Sequence, residues 1–434
     1  MDLVFAPARA LAGEVRVPGD KSVTHRAYLL SALAEGTTTI TGANPGADCE
    51  ATLAALSALG AQVTRGESGT ARITGRPGGF DAPAGDLDLG NSGTGLRLLT
   101  GALAGHLISG AATLTGDASL RGRPMRRIVE PLAAMGADVA TLGPEGTPPL
   151  TVRAAPGRLR GITHVLPVAS AQVKSCLLLA GLAAEGETVV EEPLPSRDHT
   201  ERMLPAFGVP VRRSAPNRCA LDGPARIASP GPLGVPGDFS AAFFWLVAGT
   251  IAPEGELLLP GVGLNPGRIG GLTLLQRMGA AITVSNRRTE AGEPVGDLTV
   301  RPARLTASDV APEEIPALLD ELPALAVAQA YARGVSRVRG AGELRVKESD
   351  RIRAVVNALR ALGGTVDEVE DGWDVTGGPL SGGVVESRGD HRIAMAFGIA
   401  ALGAAGPALV RQGEMIDTSY PRFYSDLRDR ATSR

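Results

Sequence analysis

The sequence predicts an α/β protein of two similar halves, and three observations predict it. The tetrapeptide Val17-Pro-Gly-Asp20 recurs as Val235-Pro-Gly-Asp238, 218 residues on in a chain of 434, and each copy runs into a serine and an apolar helix. A sequence that repeats after half its length reads as two homologous halves. Within them, an apolar helix runs through a glycine into a short strand six times, at Gly36, Gly110, Gly186, Gly255, Gly334 and Gly406, with spacings of 69 to 79 residues. Between these stand second helices, each ending at a glycine before another strand: Gly60, Gly136, Gly208, Gly279 and Gly363. A glycine past the last turn is what a left-handed helix cap needs. The unit is therefore helix–strand–helix–strand, three per half, which builds sheets with helices packed against them.

The sixth block is short. After Gly406 one helix is expected, from Pro421 to Leu427, and then the chain stops. The missing strands are assigned to the N-terminus, where Val4-Phe5 and Val15-Arg16-Val17 read as short strands. The expected domains are thus residues 19–236, and residues 1–18 plus 237–434. Both Val-Pro-Gly-Asp copies become crossings between halves, an arrangement that suits a hinge.

Composition narrows the function. A chain of this length splits into about two domains, and 44% apolar residues with only 3% aromatics supply a core of Leu, Val and Ala. A net charge of −3 leaves no electrostatic footprint for nucleic acid. Three unpatterned cysteines, Cys49, Cys176 and Cys219, argue against a disulfide framework or a zinc site and fit a reducing compartment. With no basic-apolar leader and no membrane-length apolar run, a soluble cytoplasmic protein is expected, without metal and without membrane or nucleic-acid partners.

Among 43 basic residues only Lys21, Lys174 and Lys347 are lysines, each in a short polar cluster. Surviving lysines in an arginine-rich chain mark places where a compact ammonium cannot be exchanged for a planar fork. Lys21, Ser22 and Arg26 follow Asp20, a candidate N-cap, so they lie on the first turns of a helix whose dipole and free N–H groups favour an anion. Gly90-Asn91-Ser92-Gly93-Thr94-Gly95 is a glycine-rich turn entering a second apolar helix. Arg121, Arg123, Arg126 and Arg127 crowd one segment, where one or two could grip a carboxylate or phosphate. Ser170-Ala171-Gln172 opens a third apolar helix, and Arg197 stands at the start of another. In the second half, Asp320 and Glu321 head an apolar helix, Glu348 and Arg351 have the three-residue spacing of one helical face, and Asp390-His391-Arg392 precedes a helix of small residues. The first half offers hydroxyls and cations, the second carboxylates and arginines. Acid–base chemistry on an anionic substrate needs both, in the cleft between the halves.

Taken in order, Asp-Lys21-Ser22-Val-Thr-His-Arg26, Asn91-Ser-Gly93-Thr, Arg123-Pro-Met, Ser170-Ala-Gln172-Val-Lys174, Arg197-Asp-His-Thr, Lys347-Glu348-Ser-Asp-Arg351 and Asp-His-Arg392-Ile-Ala-Met resemble the enolpyruvyl transferases that make 5-enolpyruvylshikimate 3-phosphate, the EPSP synthases. The resemblance covers essentially the whole chain. It implies two domains, each of three βαβαββ units in an inside-out α/β barrel. It also implies transfer of the enolpyruvyl group of phosphoenolpyruvate to the 5-hydroxyl of shikimate 3-phosphate, in the shikimate pathway to chorismate and aromatic amino acids, with no cofactor, by a monomer. Carried over by motif, Lys21, Ser22, Arg26, Ser170, Ala171, Gln172, Arg197, Asp320 and Lys347 hold shikimate 3-phosphate. Lys21, Gly93, Arg123, Gln172, Arg351 and Arg392 hold phosphoenolpyruvate, whose place glyphosate takes in this family. Asp320 is the expected base at the hydroxyl, with Glu348 and Lys21 handling the proton at the methylene. One position departs: where some members carry a lysine before the C-terminal Ser/Thr-aromatic-Pro, this chain has Thr418.

Three rivals are weaker. The sister transferase acting on UDP-N-acetylglucosamine carries a cysteine where Ala118 and Ser119 stand here. An RNA 3′-phosphate cyclase needs a nucleotide-accepting histidine and a basic RNA surface. A non-catalytic phosphosugar-binding protein has no use for Asp320, Glu348 and Lys21 together.

Overall fold

A computed structural model describes residues 1–66 and 69–433. It divides into two compact units, residues 19–236 with 289–293, and residues 1–18, 237–288 and 294–434. Each is mixed α/β, helices inside and sheets outside.

In the 19–236 unit one strand pattern appears three times. Leu87–Asp88 runs parallel to Ala111–Thr115, which pairs antiparallel with Leu150–Arg153, itself antiparallel to Asp138–Thr141. Thr163–Val165, Gly186–Glu191, Arg218–Gly223 and Arg212–Ala215 repeat it. So do Pro232–Gly234, Thr37–Thr41, Ala71–Thr74 and Gln62–Arg65, where the parallel strand comes from the far end of the unit.

The other unit repeats the pattern with losses. Gly13–Glu14 lies parallel to Leu257–Gly263, which is antiparallel to Glu293–Arg301. Val335–Val338, Gly372–Thr376 and Thr365–Val369 form an antiparallel sheet, with isolated parallel bridges at Thr306–Arg333 and Val310–Val338 where a fourth strand would lie. In the last sheet Gly383–Glu386 is parallel to Ala408–Arg411, and Leu3–Phe5 supplies the antiparallel third strand. The N-terminus does contribute strands here, though not all those expected. Val15–Val17 is not a strand; only the Val15 N–H reaches across, to Leu258 O at 2.9 Å. Ala8–Leu11 is one instead, paired with Ala431–Ser433. The final helix runs Phe423–Arg430, later than Pro421 to Leu427, because Tyr420 and Phe423 first pack edge-on in the aromatic cluster around Trp245.

Three helices in each unit are buried on nearly every side. They are Lys21–Leu33, Gly93–His106 and Ala171–Gly181 in one, and Phe239–Ile251, Leu322–Ala330 and His391–Ala400 in the other. A helix apolar all round has no solvent face and must lie inside. Gly93–His106 and Ala171–Gly181 approach through glycine: a Cβ on Gly101 would lie 2.2 Å from Cys176 O, and one on Gly105 3.0 Å from Ala180 O. That approach sets the starts of these two helices side by side. The cap glycines read from sequence behave as expected, with Gly60, Gly136, Gly208, Gly279 and Gly363 at φ between 81° and 100°. Gly406 does not adopt a positive φ, because the chain ends its helix earlier, through the 3-10 turn Ala401–Gly403.

Candidate active site

Every buried helix of the 19–236 unit begins with a side-chain cap. Asp20 accepts from Val23 N at 2.9 Å, Ser92 from Gly95 N at 3.0 Å and Ser170 from Val173 N at 3.4 Å. Polar side chains then stitch the three starts together. The Arg97 guanidinium donates to Gln172 Oε1 at 2.6 Å, and Gln172 Nε2 donates to Thr94 Oγ1 at 2.8 Å. Arg26 donates to Ser175 Oγ at 2.7 Å, Thr200 Oγ1 at 2.8 Å and Ser22 O at 2.8 Å. His25 bridges Thr52 Oγ1 at 2.9 Å and Ser92 Oγ at 3.4 Å. Burial, reinforced by the charges of Lys21 and Arg26, pushes His25 well below its ordinary range, so it bridges as a neutral imidazole. Burial likewise lowers Arg26 to about 10, against the pull of Glu201, Asp20 and Glu293, and leaves it a cation at neutral pH.

Three converging helix N-termini and a set of cations make this cluster suited to anions. Lys21 Nζ lies 2.8 Å from Asp48 Oδ2. Arg123 donates to Asn91 Oδ1 at 2.6 Å and to Ser119 Oγ at 3.4 Å. A Cβ on Gly93 would stand 2.9 Å from Arg123 Nη1 and 3.1 Å from Arg97 Nη1, so this glycine makes room for two guanidinium groups. Lys21, Ser22, Arg26, Gly93, Arg123, Ser170, Ala171 and Gln172 thus belong to one cluster. Arg197 directly precedes Asp198, the N-cap position of the helix His199–Met203, in the segment that carries Thr200. Lys174, the second of the three lysines, does not face a ligand: it is buried between Glu192 at 2.7 Å and Glu201 at 2.9 Å.

In the other unit, Asp320 stands just ahead of the helix Leu322–Ala330 and faces three guanidinium groups. Arg351 lies 3.7 Å away, Arg392 3.8 Å and Arg268 3.9 Å, each beyond hydrogen-bond distance of its carboxylate. Arg392 also donates to Asp320 O at 3.0 Å. Glu321, beside it, is buried and makes no side-chain capping bond; it accepts from Ser240 Oγ. Arg351 is buried, its Nε donating to Asp390 Oδ2 at 2.7 Å, while Asp390 also caps the helix His391–Ala400 through Arg392 N at 2.9 Å. Burial disfavours the Arg351 charge, but Asp390, Glu348 and Asp320 outweigh it and raise its pKa. Glu348 and Arg351 do pair, but not on one helical face. The helix starts only at Arg351, with Asp350 as its cap, and Glu348 reaches back from the preceding turn. Lys347 pairs with Glu343 at 2.6 Å, and desolvation lowers its pKa despite Glu343 and Asp320. Thr418 ends a 3-10 segment, Gly413–Thr418.

A family model described as EPSP synthase (3-phosphoshikimate 1-carboxyvinyltransferase) matches residues 5–427. The chain belongs to the EPSP synthase family. A 3-phosphoshikimate 1-carboxyvinyltransferase of Synechococcus sp. (strain JA-3-3Ab) is 51% identical over 430 residues, 98% of this chain and 96% of that one. The enzyme of that name from Acidithiobacillus ferrooxidans (strain ATCC 53993 / BNL-5-31) is 50% identical over 418 residues, 96% of this chain and 95% of the other. A solved EPSP synthase from Acinetobacter baumannii superimposes with a TM-score of 0.89 at 42% identity, over 100% of this chain and 98% of that one. Among the described residues no helix is long and apolar enough to cross a membrane, and no group of three or more His, Cys, Asp or Glu is placed to hold a metal ion.

Several members of the site escaped sequence reading. Arg97 follows Gly93 by one helical turn, a spacing that could have flagged it. Asp48 and Arg268 carry no local signal, since their partners are 27 and 30 residues away.

Proposed function

We propose that this chain performs the reaction of its family, moving the enolpyruvyl group of phosphoenolpyruvate onto the 5-hydroxyl of shikimate 3-phosphate and releasing phosphate. What carries the reading is the convergence of three helix starts with Lys21, Arg123 and Gln172, a site for more than one anion in a chain of net negative charge. Lys21, Ser22, Arg26, Ser170, Ala171, Gln172, Arg197, Asp320 and Lys347 hold shikimate 3-phosphate in this reading. Lys21, Gly93, Arg123, Gln172, Arg351 and Arg392 hold phosphoenolpyruvate.

The chemistry balances in two steps. Asp320 takes the proton of the 5-hydroxyl as its oxygen attacks C2 of phosphoenolpyruvate, while Glu348 or Lys21 gives a proton to the methylene carbon. The resulting tetrahedral intermediate then loses phosphate from C2 and a proton from the new methyl group, which restores the double bond. Arginines around both ligands offset the charge on phosphate and carboxylate as it shifts. The Asp320 carboxylate faces Arg351 at 3.7 Å, Arg392 at 3.8 Å and Arg268 at 3.9 Å and is the base of this reading.

Phosphate release tests the reading. Turnover is expected with phosphoenolpyruvate plus shikimate 3-phosphate and none with UDP-N-acetylglucosamine; the opposite pattern would overturn it.

A further inference from the structure

A carboxylate behind the Ala171–Gly181 helix joins two segments of the candidate site. Glu192 follows the strand Gly186–Glu191, and its side chain is wholly buried. Its oxygens accept from the backbone N–H of Ser170 at 2.8 Å, from the Ser196 hydroxyl at 2.7 and 2.8 Å, and from Lys174 Nζ at 2.7 Å. Its own backbone is pinned, the N–H donating to Asn217 O at 2.9 Å and the carbonyl accepting from Asn217 Nδ2.

A buried lysine–carboxylate pair offsets its desolvation only when further hydrogen bonds satisfy the carboxylate's remaining lone pairs, and where those donors come from is a choice of the fold. Here the same carboxylate spends two further acceptor directions on loops, and both loops lead into the site. Ser170 is the cap from which Ala171 and Gln172 emerge, and Ser196 directly precedes Arg197. Hydrogen bonds to an ionised acceptor are roughly twice as strong as neutral ones, so this carboxylate adds a firm anchor to the weaker direct links between the two segments, Lys174 Nζ to Ser196 O at 3.5 Å and Thr200 Oγ1 to Ser175 Oγ at 2.7 Å. Lys174, shared with Glu201, keeps the charge in place; burial opposes its ammonium, but the two glutamates outweigh that and raise it.

We propose that Glu192 is a positioning residue for shikimate 3-phosphate, holding Ser170 and, through Ser196, Arg197 at the separation that the ligand requires. The proposal rests on the functional reading above. The test uses the full chain as Glu192→Gln and Ser196→Ala, with calorimetric binding of shikimate 3-phosphate alone, KM for each substrate, and the melting temperature. Glu192→Gln should weaken shikimate 3-phosphate about tenfold, ~1.4 kcal/mol, while KM for phosphoenolpyruvate at saturating co-substrate stays within about twofold, well under that decade. Ser196→Ala, which cuts one of the two arms at a half-buried hydroxyl, should show a smaller loss with the same split, and decides the matter alone if Glu192→Gln fails to fold. Equal affinity in parent and variants would overturn the proposal, as would a fall in melting temperature with both KM values rising together. A parent that binds no shikimate 3-phosphate would sink the functional reading itself, and this proposal with it.

Discussion

Lys21 Nζ sits 2.8 Å from Asp48 Oδ2, with side chains only 15% and 8% exposed. A compact ammonium there keeps one donor on Asp48 and carries two more. A guanidinium is larger and planar, and cannot divide its donors in that way. Lys21→Arg should therefore lose more than tenfold in turnover although charge is conserved. Steady-state kinetics within about twofold of the parent, against the tenfold that ~1.4 kcal/mol represents, would remove the argument.

Gly93→Ala acts through Arg123. The added methyl would stand 2.9 Å from Arg123 Nη1, so the guanidinium must give way. The methyl is thus aimed at a residue proposed to hold the ligand. Glyphosate, longer than phosphoenolpyruvate, should suffer more from a narrowed and shifted site. The inhibition constant is expected to rise by a larger factor than KM for phosphoenolpyruvate; equal factors would make Gly93 a turn residue only.

Asp320 and Glu348 are assigned to opposite ends of the same addition. Asp320→Asn and Glu348→Gln should each cost roughly 10²–10⁴ in kcat, the usual worth of a positioned acid or base. Deuterium entering the methylene of phosphoenolpyruvate from solvent reports the proton step, and Glu348→Gln should suppress it. Normal exchange in Glu348→Gln would reassign the methylene proton to Lys21.

Gly101 holds two helices at backbone contact, so Gly101→Ala should cost about 1–3 kcal/mol, the range for overpacking a tight core. Its methyl would meet Cys176 O at 2.2 Å and prise apart the helices that carry Gly93 and Gln172. Denaturant unfolding should show the loss, and an unchanged midpoint would mean that the helices slide freely.

Acid should loosen the fold through its buried histidines. Burial lowers His106 to about 4, against the support of a backbone bond to Leu179, and also lowers His164. Between that value and the ordinary 6.5, the unfolded chain binds a proton that the folded chain refuses. Stability therefore rises with pH across this window and is complete above it, with a slope of up to ~1.4 kcal/mol per pH unit for each such group. His106→Gln should flatten the fall in melting temperature between pH 7 and 5; an identical slope would exclude His106.

What local chemistry governs was legible in the sequence. Asp20 caps its helix as the pattern implies, Ser92, Asp238 and Asp390 cap the helices expected after them, and the glycines after helices, Gly406 excepted, took the positive φ they imply. Both Val-Pro-Gly-Asp copies are used alike. Asp20 N–H donates to Pro236 O at 2.7 Å, and Asp238 N–H to Pro18 O at 2.8 Å. Pairings set by distant partners were not legible. The strand Ala8–Leu11 exists because Ala431–Ser433 lies beside it, and Lys174 is an internal ion pair because two glutamates from elsewhere meet it. A polar cluster in sequence does not say whether it faces a ligand or a carboxylate of its own chain.

Leu3–Phe5 is synthesised some four hundred residues before its strand partner, Ala408–Arg411. Pro232–Gly234 closes the first sheet of its unit only after the other two sheets have been made. The 19–236 unit can therefore close only once its last strand is made, and the other unit only after the whole of the first has been synthesised. Gly13–Glu14 finds its partner at Leu257–Gly263, but Leu3–Phe5 must wait, unpaired, for Ala408–Arg411. A nascent chain released before Ala408 would leave Leu3–Phe5 without its partner strand, an exposed edge that makes premature termination a route to aggregation rather than to a smaller working domain.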